Sequence, residues 1–494
     1  MTPPFGEPVW LGIDLGTQSV RVVAVTANGR VAGAGSAPLT SRRTDGRHEQ
    51  DPEEWWSALI LAAGEALAAI DPAAIRGLAV DGTSGTILLT DAGGRPLTAG
   101  LMYDDARASV EVPRVNAAGA AEWARFGYHR MQTSWGLPKL LWLLDHQPKP
   151  LGAGLRLAHQ TDFINGRLAG HPVSTDTSNA LKTGASPIDE TWPPGVFEKL
   201  GTPATLLPPL VRAGAPLGQV GAAAAAVTGI PAGTPIFAGM TDGCAAQIAA
   251  GAVAPGSWNS VLGTTLVLKG VTPQPIQDST GVVYSHRSPD GHWLPGGASS
   301  AGAGILAQDF AWRDLDLLTA QAAARDITPV VAYPLAGRGE RFPFYAPEAS
   351  GFLVGSPTDD VERFAALLQG VAFLERLAFD YLDLLGAPTS GELRLTGGAT
   401  RNRYWSQLRA DALGRPVTIP ENAEPACGMA ILAAAAGRNL AEVAREMVAV
   451  REVIEPRAGQ TTRLRESYLR LVEELSQRGW ISSLLARHAR RRAG

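Results

Sequence analysis

Apolar positions open the chain in three short runs. "VWLGIDLG", "VRVVAVT" and "VAGAGSAPL" are β-prone and separated by turn signals such as "ANGR", which predicts three strands. In "EQDPEEWWSALILAAGEALAAI" the period changes. Its apolar residues recur at helical spacing, Asp51 suits an N-cap, Pro52 the first helical position, and Glu53 and Glu54 the first turn. "RGLAVDGTSGTILLTDAGGRPL" returns to strand, turn and strand. Antiparallel strands followed by a helix and another strand predict an α/β layer with function at its turns.

The pattern returns around residues 210–254. The alanine run before Gly229 predicts a helix that ends there, with Pro231 just after. "TPIFAGM" predicts a short strand, and Thr241-Asp242-Gly243 opens an Ala-rich helix. After Pro255-Gly256, "LGTTLVLKGV" repeats the strand, Gly-Thr turn and strand of "LGTQSVRVVAV". The two motifs lie about 250 residues apart, half the chain, which suggests two related domains. Two Gly-Thr turns facing each other across a cleft offer N–H and O–H donors that fit a nucleotide triphosphate. "GGASSAGAG" is a Gly/Ser-rich opening to a helix near a ligand. "ELRLTGGATRNRYWSQLRADALGRPV" reads as strand, Gly-Gly turn and helix, with Gly397 and Gly398 permitting the close approach a flat adenosine needs.

Composition narrows the class. A chain of 494 residues is too long for one core and implies two large domains or more. With 45% hydrophobic and 18% charged residues it is an ordinary globular composition, and a net charge of −4 argues against a chain built to coat nucleic acid. The basic end "RHARRRAG" reads as a solvated tail. The 2 cysteines, Cys244 and Cys427, form no CxxC, so neither a disulfide framework nor a zinc site is supported. "MTPPFGEPVW" lacks a basic segment followed by an apolar core, and no long charge-free apolar run follows; an intracellular, soluble protein is expected.

The chemistry begins with a carboxylate in the first strand. A bare carboxylate buried in a strand costs several kcal/mol unless something pairs with it. Asp14 is therefore expected at a strand end facing a cleft. The turn Gly16-Thr17-Gln18-Ser19 offers backbone N–H groups and two hydroxyls for phosphate oxygens, with Asp14 holding a hydrated divalent ion. The competing reading is a hairpin with Asp as turn former. There is no GxxxxGK[ST], HExxH or GxSxG. Phosphoryl transfer needs positioning, a metal and one base; Asp14 is the candidate for the metal and Asp242 for the base, against a plain N-cap role for Asp242.

In order along nearly the whole chain, "GIDLGTQSVR", "EQDPEEWW", "GLPKLLWLLDH", "GMTDGCAAQ", "LGTT", "GGASSAGAG", "GERFPFYAPEASGFLVG", "LTGGATRNRYWSQLRADALGRPV" and "EPACGMAILAA" resemble the FGGY carbohydrate kinases. Gly136 stands where that family usually has Pro, Ser or Thr. The resemblance implies two ribonuclease-H-like (actin-like ATPase) α/β domains with a catalytic cleft between them: residues 1–254 binding the sugar, and 255–494 binding the nucleotide and ending in helices. It implies ATP and Mg²⁺ as cofactors, a small sugar substrate, no nucleic-acid or membrane partner, a cytoplasmic location, and a monomer or homodimer. By the same resemblance Asp242 is the general base, and Asp14 contacts the sugar and the Mg²⁺ shell. Thr17, Ser19 and Arg21 match the first nucleotide loop, and Gly263, Thr264 and Thr265 the second. Gly302 and Gly304 lie near the nucleotide; Gly398 and Asn402 match adenosine contacts.

The resemblance also bears on the sugar. In "AVDGTSGTILL", Thr83 and Ser84 occupy the place where xylulose kinases carry a Met-His pair and glycerol kinases an Arg-Glu pair. Small hydroxyls do not reproduce an imidazole contact. "VDGTSGT" resembles the plant and cyanobacterial type of D-ribulose kinase within the family, and "LMYDDAR" makes Tyr103, Asp104 and Asp105 candidate sugar contacts. The alternative is that Asp81 and Ser84 only hold a hairpin turn. D-xylulose or another pentulose or polyol is the nearest competing substrate. A non-catalytic sugar sensor on the same fold is the competing class; the presence of Asp242 and the lack of room for a helix-turn-helix before Asp14 favour the enzyme.

Overall fold

The computed structural model describes residues 6–146 and 154–494; residues 1–5 of the N-terminal stretch lie outside it. Two compact units divide the chain. The first runs to Val253 and takes back Ser285–Leu294 and Asn422–Ala449; the second comprises Ala254–Tyr284, Pro295–Glu421 and Val450–Gly494.

In the first unit the three opening runs form β1 (Val9–Leu15), β2 (Ser19–Thr26) and β3 (Val31–Pro38). Asp51 caps the following helix Pro52–Leu67 through its side chain, which accepts from the Glu53 N–H. The chain then returns as β4 (Ile75–Gly82), and later as β5 (Pro216–Gln219) and β6 (Pro235–Phe237). The sheet order is β5-β6-β4-β1-β2-β3. β1, β4 and β6 are parallel; β2, β3 and β5 run antiparallel to their neighbours. The strand expected over "TPIFAGM" is short, because beyond Phe237 the chain passes Gly239, where a Cβ would lie 1.9 Å from the Val80 carbonyl oxygen.

The second unit repeats this plan. β7 (Trp258–Leu262), β8 (Leu266–Gly270) and β9 (Trp293–Ala298) precede β10 (Leu393–Thr396), β11 (Val417–Pro420) and β12 (Val450–Ile454). Its sheet contains the run β9-β8-β7-β10-β11-β12, with β7, β10 and β11 parallel and the outer strands antiparallel. The repeat read from two Gly-Thr turns is therefore a repeat of topology. Helix Asp360–Leu384 forms the spine of this unit's core and is buried almost all round; its buried polar side chains Gln369, Glu375, Arg376 and Asp380 are each hydrogen-bonded.

The first unit's core closes by backbone contact. Helix Pro425–Ala434 lies on β1 so closely that a Cβ on Gly12 would sit 1.6 Å from the Ala426 carbonyl oxygen. No side chain fits there. A smaller antiparallel sheet carries Arg42–Thr44, Arg47–Gln50, Gly100–Leu101, Ile87–Thr90 and Arg156–His159, in that order.

The basic end is not the solvated tail expected. Residues 487–493 fall in helix Ser483–Ala493, whose Leu485, Ala486 and Ala489 share one buried face. His488 Nε2 meets the Asp383 carboxylate at 2.8 Å, and Arg492 Nη1 donates to the Phe379 carbonyl. A short apolar stripe offset by four residues won over the charge run. Trp55, on helix Pro52–Leu67, is fully buried.

In the second unit's core Arg409 and Glu375 form a fully buried ion pair, Nε to Oε2 at 2.7 Å, and Arg409 Nη2 also donates to Ser260 Oγ at 2.8 Å. Removing one partner strands the other charge. Glu375→Gln is expected to cost the second unit about 3 kcal/mol, seen as an earlier denaturant-unfolding transition of that unit; an unchanged transition would show that Arg409 is satisfied without Glu375.

Candidate active site

Asp14 and Asp81 stand at the carboxyl ends of two neighbouring parallel strands, paired in register across β1 and β4. Asp14 is 7% exposed and Asp81 fully buried. Neither Asp81 oxygen meets a hydrogen-bond donor group among the described residues. The group it faces is the Asp14 carboxyl, and two carboxyls hydrogen-bond only if one keeps its proton. Burial pushes Asp14 up to about 6, against a lowering bond from Asp81 and with the nearby Asp242 charge raising it further. Burial, and then the Asp14 charge, hold Asp81 well above the usual carboxylate range. Asp81 is thus the proton keeper and Asp14 the carboxylate of the pair near neutral pH.

Asp242 joins them from the first turn of helix Asp242–Ala249. Thr241, not Asp242, occupies the N-cap, so the plain capping role does not describe Asp242. Its Oδ1 accepts from the Gly243 N–H at 2.7 Å. A bridge between Gly82 and Thr241 ties the helix start to the end of β4. Beneath it, buried Ser178 accepts from the Thr241 N–H at 3.2 Å and meets His286 Nδ1 at 3.1 Å.

The turn after β1 closes through the Gly16 N–H, which donates to the Ser19 carbonyl at 3.1 Å, and leaves Thr17 and Ser19 half-buried. Arg21 lies opposite Asp14 in the β1–β2 register and 3.6 Å from Glu424. In the second unit the Gly263 N–H donates to the Thr265 carbonyl at 3.1 Å, with Thr264 exposed at the tip. Gly302 and Gly304 pack on that same turn: the Gly304 N–H donates to the Thr264 carbonyl, and a Cβ on Gly302 would lie 2.6 Å from Thr265 Cα. Gly397, at φ 86°, and Gly398 form an exposed turn at the end of β10. Asn402 is the N-cap of helix Arg403–Leu413; its Oδ1 accepts from the Trp405 N–H and its Nδ2 donates to Thr319 Oγ1. Both ends of the expected adenosine contact are thereby occupied.

The sugar candidates sit in turns flanking strands of the smaller sheet of the first unit. Thr83 is buried and used up: its N–H and Oγ1 both donate to Gln160 Oε1, and Oγ1 meets Thr86 Oγ1 at 2.5 Å. Ser84 differs, for its buried Oγ has no partner among the described residues, nor does Gln160 Nε2. Lys182 Nζ reaches over the same turn to the Ser84 carbonyl at 3.5 Å. Tyr103 is 41% exposed and Asp104 half-buried. Asp105 does not fit a sugar contact. It is fully buried, forked by Arg107 through Nε and Nη2, and accepts the His48 N–H at 2.6 Å. Two adjacent aspartates look alike in sequence, but only Asp104 turns outward.

Reasoning from sequence missed Gln160, Lys182, Ser178 and His286. They reach the site across gaps such as 77 and 98 residues, with no local signal. Lys139 was legible as an oddity, a lysine in the apolar run "GLPKLLWLL". It is fully buried, donates to the Met102 carbonyl at 2.8 Å, and burial pushes its ammonium down to about 7. Among the described residues no group of three or more His, Cys, Asp and Glu is arranged to hold a metal, and no helix is long and apolar enough to cross a membrane.

Comparison with known proteins gives this arrangement its class. The FGGY family of carbohydrate kinases matches through its N-terminal domain over residues 9–249 and its C-terminal domain over residues 258–437. A xylulose kinase of Streptomyces coelicolor is 32% identical over 454 residues, covering 89% of this chain and 90% of the relative. An apulose kinase of Pectobacterium atrosepticum is 28% identical over 492 residues, covering 91% and 94%. The crystal structure of a xylulose kinase from Rhodospirillum rubrum superposes with a TM-score of 0.83 at 26% identity, over 94% of this chain and 98% of that one. The chain belongs to the FGGY family of carbohydrate kinases, and with it to the ATP-dependent sugar kinases.

The carboxyl pair sets the pH response. Asp14 is neutral below about pH 6 and charged above it, so kcat/KM is expected to fall as pH drops through about 6. Asp81→Asn keeps a donor toward Asp14 and leaves that limb in place. Asp81→Ala removes the donor and moves the limb to higher pH. Identical limbs in both variants, read from pH–rate profiles, would contradict the shared proton.

Proposed function

We propose that the protein transfers the γ-phosphate of ATP to a pentulose, with D-ribulose as preferred acceptor and D-ribulose 5-phosphate as product. The observation that carries this reading is the turn 81–86. Where the family's xylulose kinases carry Met and His, this chain has Thr83 and Ser84, and the Ser84 hydroxyl is buried without a partner. In this reading residues 1–254 take the sugar and 255–494 the nucleotide. Ser84, Tyr103 and Asp104 contact the sugar, while Thr83 and Asp105 hold those contacts in place.

The chemistry asks little covalent work of the protein. Asp242 accepts the proton of the acceptor hydroxyl; the freed oxygen bonds to the γ-phosphorus as the bond to ADP breaks. Thr17 and Ser19 at the first turn, with Arg21 on the strand that follows, and Gly263, Thr264 and Thr265 at the second offer N–H, O–H and guanidinium donors suited to phosphate. Gly302 and Gly304 keep the second turn in shape, and Gly398 gives adenosine an open backbone to lie on. Asn402 acts one step back, by capping the helix behind that turn. The donor set fits Mg²⁺, which is commonly held by one or two carboxylates and substrate phosphates rather than by an all-protein cage; Asp14 is the carboxylate that would hold it, and the ion would supply positive charge against the negative charge that develops in the transfer.

A second reading, D-xylulose, is favoured by the name of the Streptomyces coelicolor relative. ADP release at saturating MgATP separates the two. The expected result is a kcat/KM for D-ribulose at least about ten-fold above those for D-xylulose, L-ribulose, ribitol and glycerol, a factor worth about 1.4 kcal/mol. A preference for D-xylulose would overturn the choice of sugar and leave the kinase. In the same assay Asp242→Asn is expected to lose at least about a hundred-fold in kcat while still binding ATP, the size of a general-base contribution; retained turnover would remove Asp242 as the base.

A further inference from the structure

A buried relay leads from the first Gly-Thr turn to Asp104. Trp55 Nε1 donates to Gln50 Oε1 at 2.7 Å, which fixes the orientation of the Gln50 amide. Gln50 Nε2 then donates both its hydrogens, one to the Thr17 carbonyl at 2.7 Å and one to Ser41 Oγ at 2.9 Å. Ser41 Oγ lies 2.9 Å from His48 Nε2, and His48 Nδ1 lies 2.5 Å from Asp104 Oδ1. Ser41 Oγ thus links Gln50 to His48 Nε2. The Asp104 carboxylate can only accept, so His48 Nδ1 carries the proton that it donates to Asp104. Every polar atom from Trp55 to Asp104 is matched, and His48 itself is 1% exposed. No reading of the sequence assigned His48 a part.

The far end of the relay is a prepared acceptor. Asp104 Oδ1 takes the His48 bond and Oδ2 takes Arg43 Nη1 at 2.9 Å. Burial works against the charged form, but the bonds from His48 and Arg43 outweigh it and hold the Asp104 carboxyl below the usual range. A carboxylate has about four lone-pair positions. Two are used, and the half-exposed side keeps two, which suits a pair of neighbouring hydroxyls. The Tyr103 ring meets the His48 ring edge-on, centroids 6.4 Å apart, so both outward residues lean on the same imidazole. The His48 N–H holds Asp105 as well, which fixes the backbone between them.

We infer that His48 is the positioning residue for sugar recognition: it aims the Asp104 carboxylate at two vicinal hydroxyls of the acceptor, and is itself aimed by Gln50 and Ser41 from the Thr17 turn. This rests on the reading of Asp104 as a sugar contact.

Two conservative variants separate the bonds of His48. Asn places its amide nitrogen near the imidazole Nδ1 and keeps a donor to Asp104. Gln places its nitrogen near Nε2 and keeps only Ser41. Steady-state kinetics of His48→Gln, His48→Asn and Asp104→Asn in the full-length enzyme, with the pentulose and then ATP varied, test the inference. His48→Gln is expected to raise KM for the sugar roughly ten-fold, the effect of one hydrogen bond to a charged group. Its kcat should stay within about two-fold, with KM for ATP unchanged, and His48→Asn should recover most of the sugar KM. If Asp104→Asn raises the sugar KM but His48→Gln does not, the role of His48 is overturned and Asp104 stands. If both His48 variants lose kcat and thermal stability equally without a KM effect, His48 is structural only and the inference fails. If Asp104→Asn leaves the sugar KM unchanged, the reading of Asp104 falls, and the inference with it.

Discussion

Two carboxyls placed side by side on parallel strands are the constraint from which the first unit is organised. Adjacent strands lie about 4.8 Å apart, and Asp14 and Asp81 share one register position. Two negative charges there, out of water, would cost more than a marginal fold can carry. One proton retained on Asp81 turns the repulsion into a hydrogen bond. It also leaves Asp14 as a carboxylate held near the pH at which it titrates. Gly12 shares a face with Asp14, two residues away along the strand, and there the backbone of helix Pro425–Ala434 seals the sheet. The same strand is sealed by backbone at Gly12 and carries a carboxylate of raised pKa at Asp14.

Duplicated topology accounts for the two kinds of turn. Each unit builds three antiparallel strands and then parallel ones, and each puts a Gly-Thr hairpin at the same place. The units diverge in what surrounds that hairpin. In the first, a smaller sheet brings Ser84, Tyr103 and Asp104 toward the strand ends, with His48 and Gln50 behind them. In the second, Gly302 and Gly304 lie flat on the turn and an open Gly-Gly turn follows the neighbouring parallel strand. One unit thus surrounds its turn with hydroxyl, phenol and carboxylate side chains, the other with bare glycine backbone.

Much of this was legible in the residues, for identifiable reasons. The three opening strands, the Asp51 cap and the repeated Gly-Thr hairpin are local features, and local chemistry decided them. Asp14 and Asp242 stood out because each interrupts an apolar or small-residue run. What was not legible depends on distant contacts. Asp81 was weighed as a sugar or turn residue and not as the partner of Asp14, since that partner is 67 positions away in the chain, 81 minus 14. Asp104 and Asp105 were read alike, and packing against Arg107 and His48 separates them. The basic C-terminus was read as a tail because its charges are contiguous, whereas its three buried apolar residues precede or interrupt them. The return of Ser285–Leu294 and Asn422–Ala449 to the first unit has no local signature at all.

The central claim is the single proton kept by the Asp14–Asp81 pair. Infrared spectroscopy of the full-length protein at pH 7, comparing it with Asp81→Asn, tests that claim most directly. A protonated-carboxyl band present in the native protein and lost on substitution is the expected result. A native spectrum without that band, or a band that survives in Asp81→Asn, would mean that both aspartates ionise in the fold and that something other than a shared proton holds the strand ends together.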